Sequence, residues 1–414
     1  MHHLIPDNRS VVQAAVAALC VDLEVLRMLA ARTKRVLRFV IDGLVIALVS
    51  ISLIELGCWL YHRVNPAFGV WDTGYNRWRG RPLAHDYNGF RLSSRGFKDA
   101  EFSLRKEESV FRILGIGDSF TFGSVPYPDC VLTLLRHRLT TQGRYEVINM
   151  GICGNGPKEY LSLLAAEGLE LSPDLVLVLF FVGNDFANAG HGRSLCSYSY
   201  GCTMAKYLFT VYRRQEGLPT FAPGEVYRDD EPLPDYDQFL RMETSASLIF
   251  IRAKNWRHHF DSAVHYLAEM NRTCNTNGAK LLTVIIPDRV QVEPGLQAEV
   301  IKALREGRWP DNGRWPTLTK GDMDFRGPNK LLAAELDRQK IRCVDLTDEF
   351  EKASAHRKLF RANDSHWNIE GNRLAAELVF RHLLSRPALI GEPGSSRNGT
   401  AETNLSPRPG GKGR

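Results

Sequence analysis

Gly117-Asp118-Ser119-Phe120-Thr121-Phe122-Gly123 sets a serine between an aspartate and an aromatic residue, directly after an apolar run. Far down the chain, Asn363-Asp364-Ser365-His366-Trp367-Asn368 offers a histidine with an aspartate two positions before it. A serine hydroxyl is a poor nucleophile until a base takes its proton. Histidine titrates close enough to neutrality to take that proton and return it. A carboxylate behind the imidazole fixes its tautomer and stabilises the imidazolium. Asp364 and His366 cannot point the same way on a helix, yet they can converge in a loop before a helix start. Asn368 and Glu370 are the polar caps expected of such a start. Asn149-Met150-Gly151 and Gly183-Asn184-Asp185 are two further blocks of small polar residues. Each block also has a plainer use. Ser119 can cap a helix, Gly151 can make a turn, Asn184 and Asp185 can cap turns, and His366 can be a satisfied surface histidine. Asp118 is a rival to Asp364 as the acid, although an Asp-Ser pair at a strand end more often holds the turn.

These blocks need elements to hold them. From Val110 on, short apolar runs alternate with helical stretches, which predicts a parallel sheet covered by helices on both faces. The runs lie at 110–117, 145–151, 174–183, 279–287 and 341–347. The helices are expected near 127–142, 157–170, 259–276, 296–306, 328–340 and 370–384. Right-handed crossovers then give a flavodoxin-like three-layer sandwich, in which ligands bind at the carboxyl ends of the strands. Three of the blocks directly follow a strand run, and the fourth precedes the last helix. All four are therefore expected on one face. Residues 186–258 break the rhythm and are expected to be an insertion acting as a lid over the site.

Taken in order, the blocks resemble the SGNH (GDSL-like) hydrolases over about residues 88–384. Gly117-Asp118-Ser119-Phe120 resembles the GDSL block, with Phe120 in place of its leucine. Gly151 and Asn184 match the family's Gly and Asn blocks. Asp364 and His366 match its terminal block, with the usual Asp-x-x-His shortened to Asp-x-His. The resemblance implies a three-layer α/β/α fold with a parallel five-stranded sheet. It also implies an oxyanion hole made by the N–H of Ser119, the N–H of Gly151 and the side-chain amide of Asn184. The implied activity is hydrolysis of carboxylic esters through an acyl-serine intermediate, with no cofactor and no metal. With a sugar hydroxyl as acceptor the same site is an O-acyltransferase on a cell-surface polysaccharide. A non-catalytic binding or scaffold domain of the cell envelope is the alternative from another class. A nucleotide binder using 117–123 as a phosphate loop leaves Asp364 and His366 unexplained. His258 and His259 are adjacent, lack a partner at helical spacing, and are expected at the surface rather than on a metal. Trp367 is expected to pack.

Phe39 to Leu60 is strongly apolar and, at ~1.5 Å per residue, covers ~33 Å as a helix, enough for a bilayer core of ~30 Å. Asp42 and Glu55 interrupt it, each toward an end. Arg32, Lys34, Arg35 and Arg38 precede the span and only Arg63 closely follows it. The positive-inside rule then places the N-terminus in the cytoplasm and the rest outside, as in a periplasm. A cleaved signal peptide lacks an obvious cleavage site, and Leu56-Gly57-Cys58 fits lipoprotein attachment poorly because Glu55 precedes it. The expected organisation is therefore a cytoplasmic segment 1–38, a transmembrane anchor 39–61, a lead-in 62–109, the hydrolase-like domain 110–386 and a disordered tail 387–414. Residues 11–31 show a weak helical pattern without an assigned role. The net charge of +6 is not gathered in one basic stripe, which argues against a nucleic-acid partner. An acyl ester, a glycan and the membrane are the expected partners. The 8 cysteines form no CxxC pair, and Cys196 and Cys202 can close a disulfide in an oxidising compartment.

Overall fold

The computed structural model describes residues 8–64, 79–80, 82–86, 88–190, 199–214, 227–230 and 235–390. Its centre is a five-stranded sheet of β1 (Phe111–Gly117), β2 (Tyr145–Asn149), β3 (Leu175–Phe181), β4 (Lys280–Ile286) and β5 (Arg342–Asp345). The strand order is β2-β1-β3-β4-β5 and every pairing is parallel. This is the flavodoxin-like order, with its switch point between β1 and β3. All five strands fall inside the predicted runs. The three inner strands are buried on both faces, so their sequences read as unbroken apolar runs. Leu114, Ile116, Val176, Val178 and Phe180 face one helical layer, while Ile113, Leu175, Leu177 and Leu179 face the other. Burying each such side chain contributes roughly 1.5–3 kcal/mol.

On the first face lie α4 (Pro157–Leu163), α8 (Arg257–Thr276) and α11 (Gly327–Arg338). On the second lie α3 (Val131–Thr140), α12 (Thr347–Ser354) and α13 (Ile369–Leu384). The helix α10 (Pro294–Glu306) matches its predicted stretch as well. Short helices α2 (Ser119–Phe122), α5 (Asp185–Ala189) and α9 (Arg289–Val292) begin just past the carboxyl ends of β1, β3 and β4. Their brevity hid them from periodicity. The chain stays ordered beyond Arg386: α14 (Pro387–Ile390) buries Leu389 and Ile390. Those four residues are therefore not part of a disordered tail, and 391–414 lie outside the described residues.

The described part of the insertion is helical, with α6 (Tyr200–Arg214) and α7 (Tyr236–Ala246). The N-terminal helix α1 is longer than expected, running without a break from Asn8 to Val64. Its Arg32–Tyr61 stretch contains an 18-residue window of mean hydropathy 2.3, none of it buried within the protein, so the helix is long and apolar enough to cross a membrane. Glu55 has a structural task. Its carboxylate accepts hydrogen bonds from the N–H groups of Tyr200 (2.8 Å) and Gly201 (3.2 Å), and from the Ser199 hydroxyl. A carboxylate at a helix N-terminus satisfies free N–H groups and suits the helix dipole. The insertion is thus tied to α1. Cys202 is disulfide-bonded, while Cys196 lies outside the described residues.

Candidate active site

The carboxyl end of β1 positions the serine. Asp118 is fully buried and caps α2, its Oδ1 accepting from the Phe120 N–H at 2.9 Å. The turn closes with the Phe122 N–H on the Asp118 carbonyl, also 2.9 Å. Phe120 then points into the core against Phe181 and Trp367. That anchoring leaves Ser119 half-buried at the rim of the sheet. Asp118 holds the turn, as expected, and makes no bond to the imidazole. Burial raises its pKa, opposed by the Phe120 N–H, the Asn184 amide and the charge of His366.

The histidine arrives on the loop before α13. Asn368 caps that helix, its Oδ1 accepting from the Gly371 N–H at 2.9 Å. Trp367 is 2 % exposed and packs on Phe120 and Phe350, so it is a packing residue. Asn363 takes a left-handed conformation (φ 48°), which bends the loop back. Asp364 Oδ1 then lies 2.6 Å from His366 Nδ1 and accepts the His366 N–H at 3.1 Å. On the other side of the ring, Nε2 lies 2.7 Å from Ser119 Oγ. Residues 247 positions apart in sequence are thus in hydrogen-bond contact. Arg289 secures the loop, its Nη1 donating to the carbonyls of Arg361 and Asp364 at 3.0 Å each. Asp229, from the insertion, accepts the Ile369 N–H at 3.4 Å, and its carbonyl accepts the Ala362 N–H at 3.2 Å.

The electrostatics suit a base. Burial works against the imidazolium, but the charge and hydrogen bond of Asp364, helped by Asp118, outweigh it. His366 therefore titrates above the usual histidine value. Asp364 is pushed up by burial and pulled further down by His366 and Arg361, so it titrates below the usual carboxylate value.

The structure brings Asn184 to the same rim. One hydrogen of its Nδ2 goes to Asp118 Oδ2 at 3.1 Å, which orients the amide, and its Oδ1 has no partner. Asp185 faces inward instead, accepting from the Phe181 N–H and the Tyr160 hydroxyl. Gly151 is buried, and its N–H donates to Asn149 Oδ1 at 2.9 Å. A side chain there is excluded by backbone, since an added Cβ would sit 2.2 Å from the Phe122 nitrogen. The turn that follows carries Gly154, which is exposed and left-handed (φ 74°). Burial, helped by the charge of Asp118, pushes the neighbouring Cys153 thiol up to about 12.

Ser119 and His366 open onto a cavity of ≈ 520 Å³. Its walls include Phe181, Phe186, Leu248, Ile249 and Trp256, together with Glu243 and Asp288. His259 also borders it, half-buried, and is not the plain surface residue expected. Sequence reasoning missed Glu243 and Asp288. Asp288 follows β4 by two residues, so the rule that found the other strand-end blocks reaches it too. Glu243 sits with Phe239, Leu240 and Thr244 on the buried stripe of α7, and its charge on that stripe was the signal. Among the described residues no group of three or more His, Cys, Asp or Glu side chains could hold a metal ion.

Fold and site together define a three-layer α/β protein with a serine–histidine–aspartate relay at the carboxyl rim of its sheet. No protein-family model and no curated protein matches the chain. Solved structures similar to it include the lipase/acylhydrolase from Enterococcus faecalis, at 14% identity over 67% of this chain and 96% of that one, with a TM-score of 0.34. A GDSL-like lipase from Bacteroides thetaiotaomicron is 13% identical over 66% of this chain and 88% of its own, with a TM-score of 0.34. A catalytic mutant of an acetylxylan esterase from Geobacillus stearothermophilus is 11% identical over 66% and 94%, with a TM-score of 0.36.

Proposed function

We propose that the chain is a membrane-anchored serine esterase of the SGNH kind, with Ser119 as nucleophile. The observation that carries this is the Asp364–His366–Ser119 relay at 2.6 and 2.7 Å. His366 Nε2 takes the Ser119 proton as Oγ attacks the ester carbonyl. Asp364 keeps the other ring proton on Nδ1 and balances the charge that forms. The carbonyl oxygen becomes an oxyanion and needs donors already in place. The Ser119 N–H and the second hydrogen of Asn184 Nδ2 supply two. Gly151 does not fit the third place, because its N–H is already bound to Asn149 and it lies under backbone. The exposed Gly154 takes that place in our assignment, its missing Cβ letting substrate come close. His366 then returns its proton to the leaving alcohol, and an acyl group remains on Ser119. An acceptor hydroxyl, deprotonated by the same imidazole, releases it. Water makes the protein a hydrolase, and a sugar hydroxyl makes it an O-acyltransferase. The apolar stretch of α1 anchors it, and the clustered Arg32, Lys34, Arg35 and Arg38 put the catalytic domain on the non-cytoplasmic side.

The test is hydrolysis of p-nitrophenyl acetate by the full chain, with Ser119→Ala beside it. The variant is expected to lose about 10³-fold or more in kcat, and a fluorophosphonate is expected to label the wild type once, at Ser119. Equal rates for the two proteins, or no labelling, would remove Ser119 from the chemistry.

A further inference from the structure

Arg361 lies outside every block that resembles a hydrolase, yet it is 5 % exposed and stands directly behind the relay. Its backbone belongs to the histidine loop. The Arg361 N–H donates to the His366 carbonyl at 3.0 Å, and the Arg361 carbonyl accepts from Arg289 Nη1, also at 3.0 Å. The side chain turns toward two other pieces of chain. Its Nη1 donates at 3.3 Å to the carbonyl of Ser124, two residues past the end of α2, the helix that begins with Ser119. Its guanidinium carbon lies over the ring of Tyr227 in the insertion, 5.2 Å from the ring centre. Tyr227 in turn donates to Asp229 Oδ1 at 2.5 Å, and the same oxygen accepts the Ile369 N–H at 3.4 Å. One arginine thus joins the nucleophile turn, the histidine loop and the insertion.

The same Nη1 lies 3.9 Å from Asp364 Oδ2, the carboxylate oxygen that His366 does not use. That is longer than a hydrogen bond, so the contact acts by charge. The two side chains are 6 % and 13 % exposed, and water screens their attraction little. A buried guanidinium is costly unless it is paired, and here its ionic partner is the acid of the relay. His366 is faced by Asp364 and Arg361 from its own loop and by Asp118 from the turn after β1. Glu243, Lys254, His259 and Asp288 border the cavity it opens onto. Burial and the Arg361 charge work against the imidazolium, and Asp364 and Asp118 favour it. Arg361 is the cation that acts on the imidazole directly.

We propose that Arg361 is a positioning residue of the relay: it fastens the histidine loop to the turn that follows Ser119 and holds the Asp364 carboxylate by charge, with Tyr227 of the insertion covering its guanidinium. This inference rests on the esterase reading and adds to it a residue that touches no substrate. The planar fork matters as well as the charge, because one end meets the Ser124 carbonyl while the flat face lies on Tyr227. Lysine at this place keeps the charge and loses the fork. Glutamine keeps a donor toward Ser124 and loses the charge.

The experiment follows p-nitrophenyl acetate hydrolysis from pH 5 to 9 with full-length wild type, Arg361→Gln and Arg361→Lys. The glutamine variant is expected to lose about 10- to 100-fold in kcat while KM stays within about threefold, since the imidazole is no longer held at the Ser119 oxygen. Its acidic limb is expected to move to higher pH, because a cation that disfavoured the imidazolium has gone. The lysine variant is expected to keep the limb of the wild type and to recover part of the kcat that glutamine loses. Three results would overturn the inference. The first is a glutamine variant with the kcat and the limb of the wild type. The second is a glutamine variant that loses kcat while its limb stays in place, which would make Arg361 a structural residue only. The third is a lysine variant whose limb moves as far as that of glutamine. A wild type inert toward the ester would sink the esterase reading itself and this inference with it, and it is told apart because the variants then have nothing to lose.

Discussion

At the scale of residues, the relay makes a prediction about pH. The imidazole must be neutral to accept the serine proton, so turnover falls as pH drops through the His366 pKa. That pKa lies above the usual 6.5, held there against burial by Asp364. In Asp364→Asn the charge is gone and burial is opposed mainly by Asp118. The acidic limb of the kcat profile is therefore expected to move to lower pH. With the wrong tautomer now favoured, kcat itself falls by about 10⁴-fold. Rates on p-nitrophenyl acetate from pH 5 to 9 read both effects, and a limb that stays in place would show that Asp364 does not set the base. These three residues were legible because a serine at a strand end and a histidine before a helix are unusual enough to notice, and because one sheet rim gathers them. Gly151 is a residue for which spacing alone was not enough. Sequence places a glycine near the site, but only coordinates show that its donor is already used by Asn149. Glu243 was missed because the helix that buries it, α7, was not predicted, so a charge on its buried stripe had nothing to stand out against.

At the scale of elements, the site depends on how tightly the end of α2 sits on the turn just past β2. Gly151 is where they touch: an added Cβ would lie 2.2 Å from the Phe122 nitrogen and 2.6 Å from the Thr121 carbonyl carbon. Both are backbone atoms, and no side-chain rotation relieves the overlap. Gly151→Ala must therefore push α2 outward and carry Ser119 with it. Overpacking of this kind costs roughly 1–3 kcal/mol, and the backbone contact puts this case at the upper end or beyond. Urea unfolding is expected to show that loss, together with a fall in kcat. An alanine variant as stable and active as wild type would mean that β2 and α2 are not in such contact. The sheet and its covering helices were legible because burial on both faces writes long apolar runs. The insertion was not. Helix α7 hides a glutamate on its buried stripe, and α6 leans on α1.

At the scale of the whole molecule, α1 and the insertion belong to one device. An acid within an apolar span is costly unless it finds donors, and Glu55 finds three at the start of α6. The contact lies six residues before Tyr61, so the insertion meets the span near the end next to the catalytic domain. The opposite end carries the clustered Arg32, Lys34, Arg35 and Arg38. On the positive-inside rule that end is expected to stay in the cytoplasm, the orientation proposed above. Sealed vesicles of both orientations separate the outcomes. With the cytoplasmic face inside, added protease is expected to digest the catalytic domain. With the cytoplasmic face outside, the domain is expected to survive until detergent is added. The full chain should pellet with the vesicles after a carbonate wash, as an integral protein does. Digestion only in the second kind of vesicle would reverse the orientation, and release by carbonate would mean that α1 does not cross the bilayer.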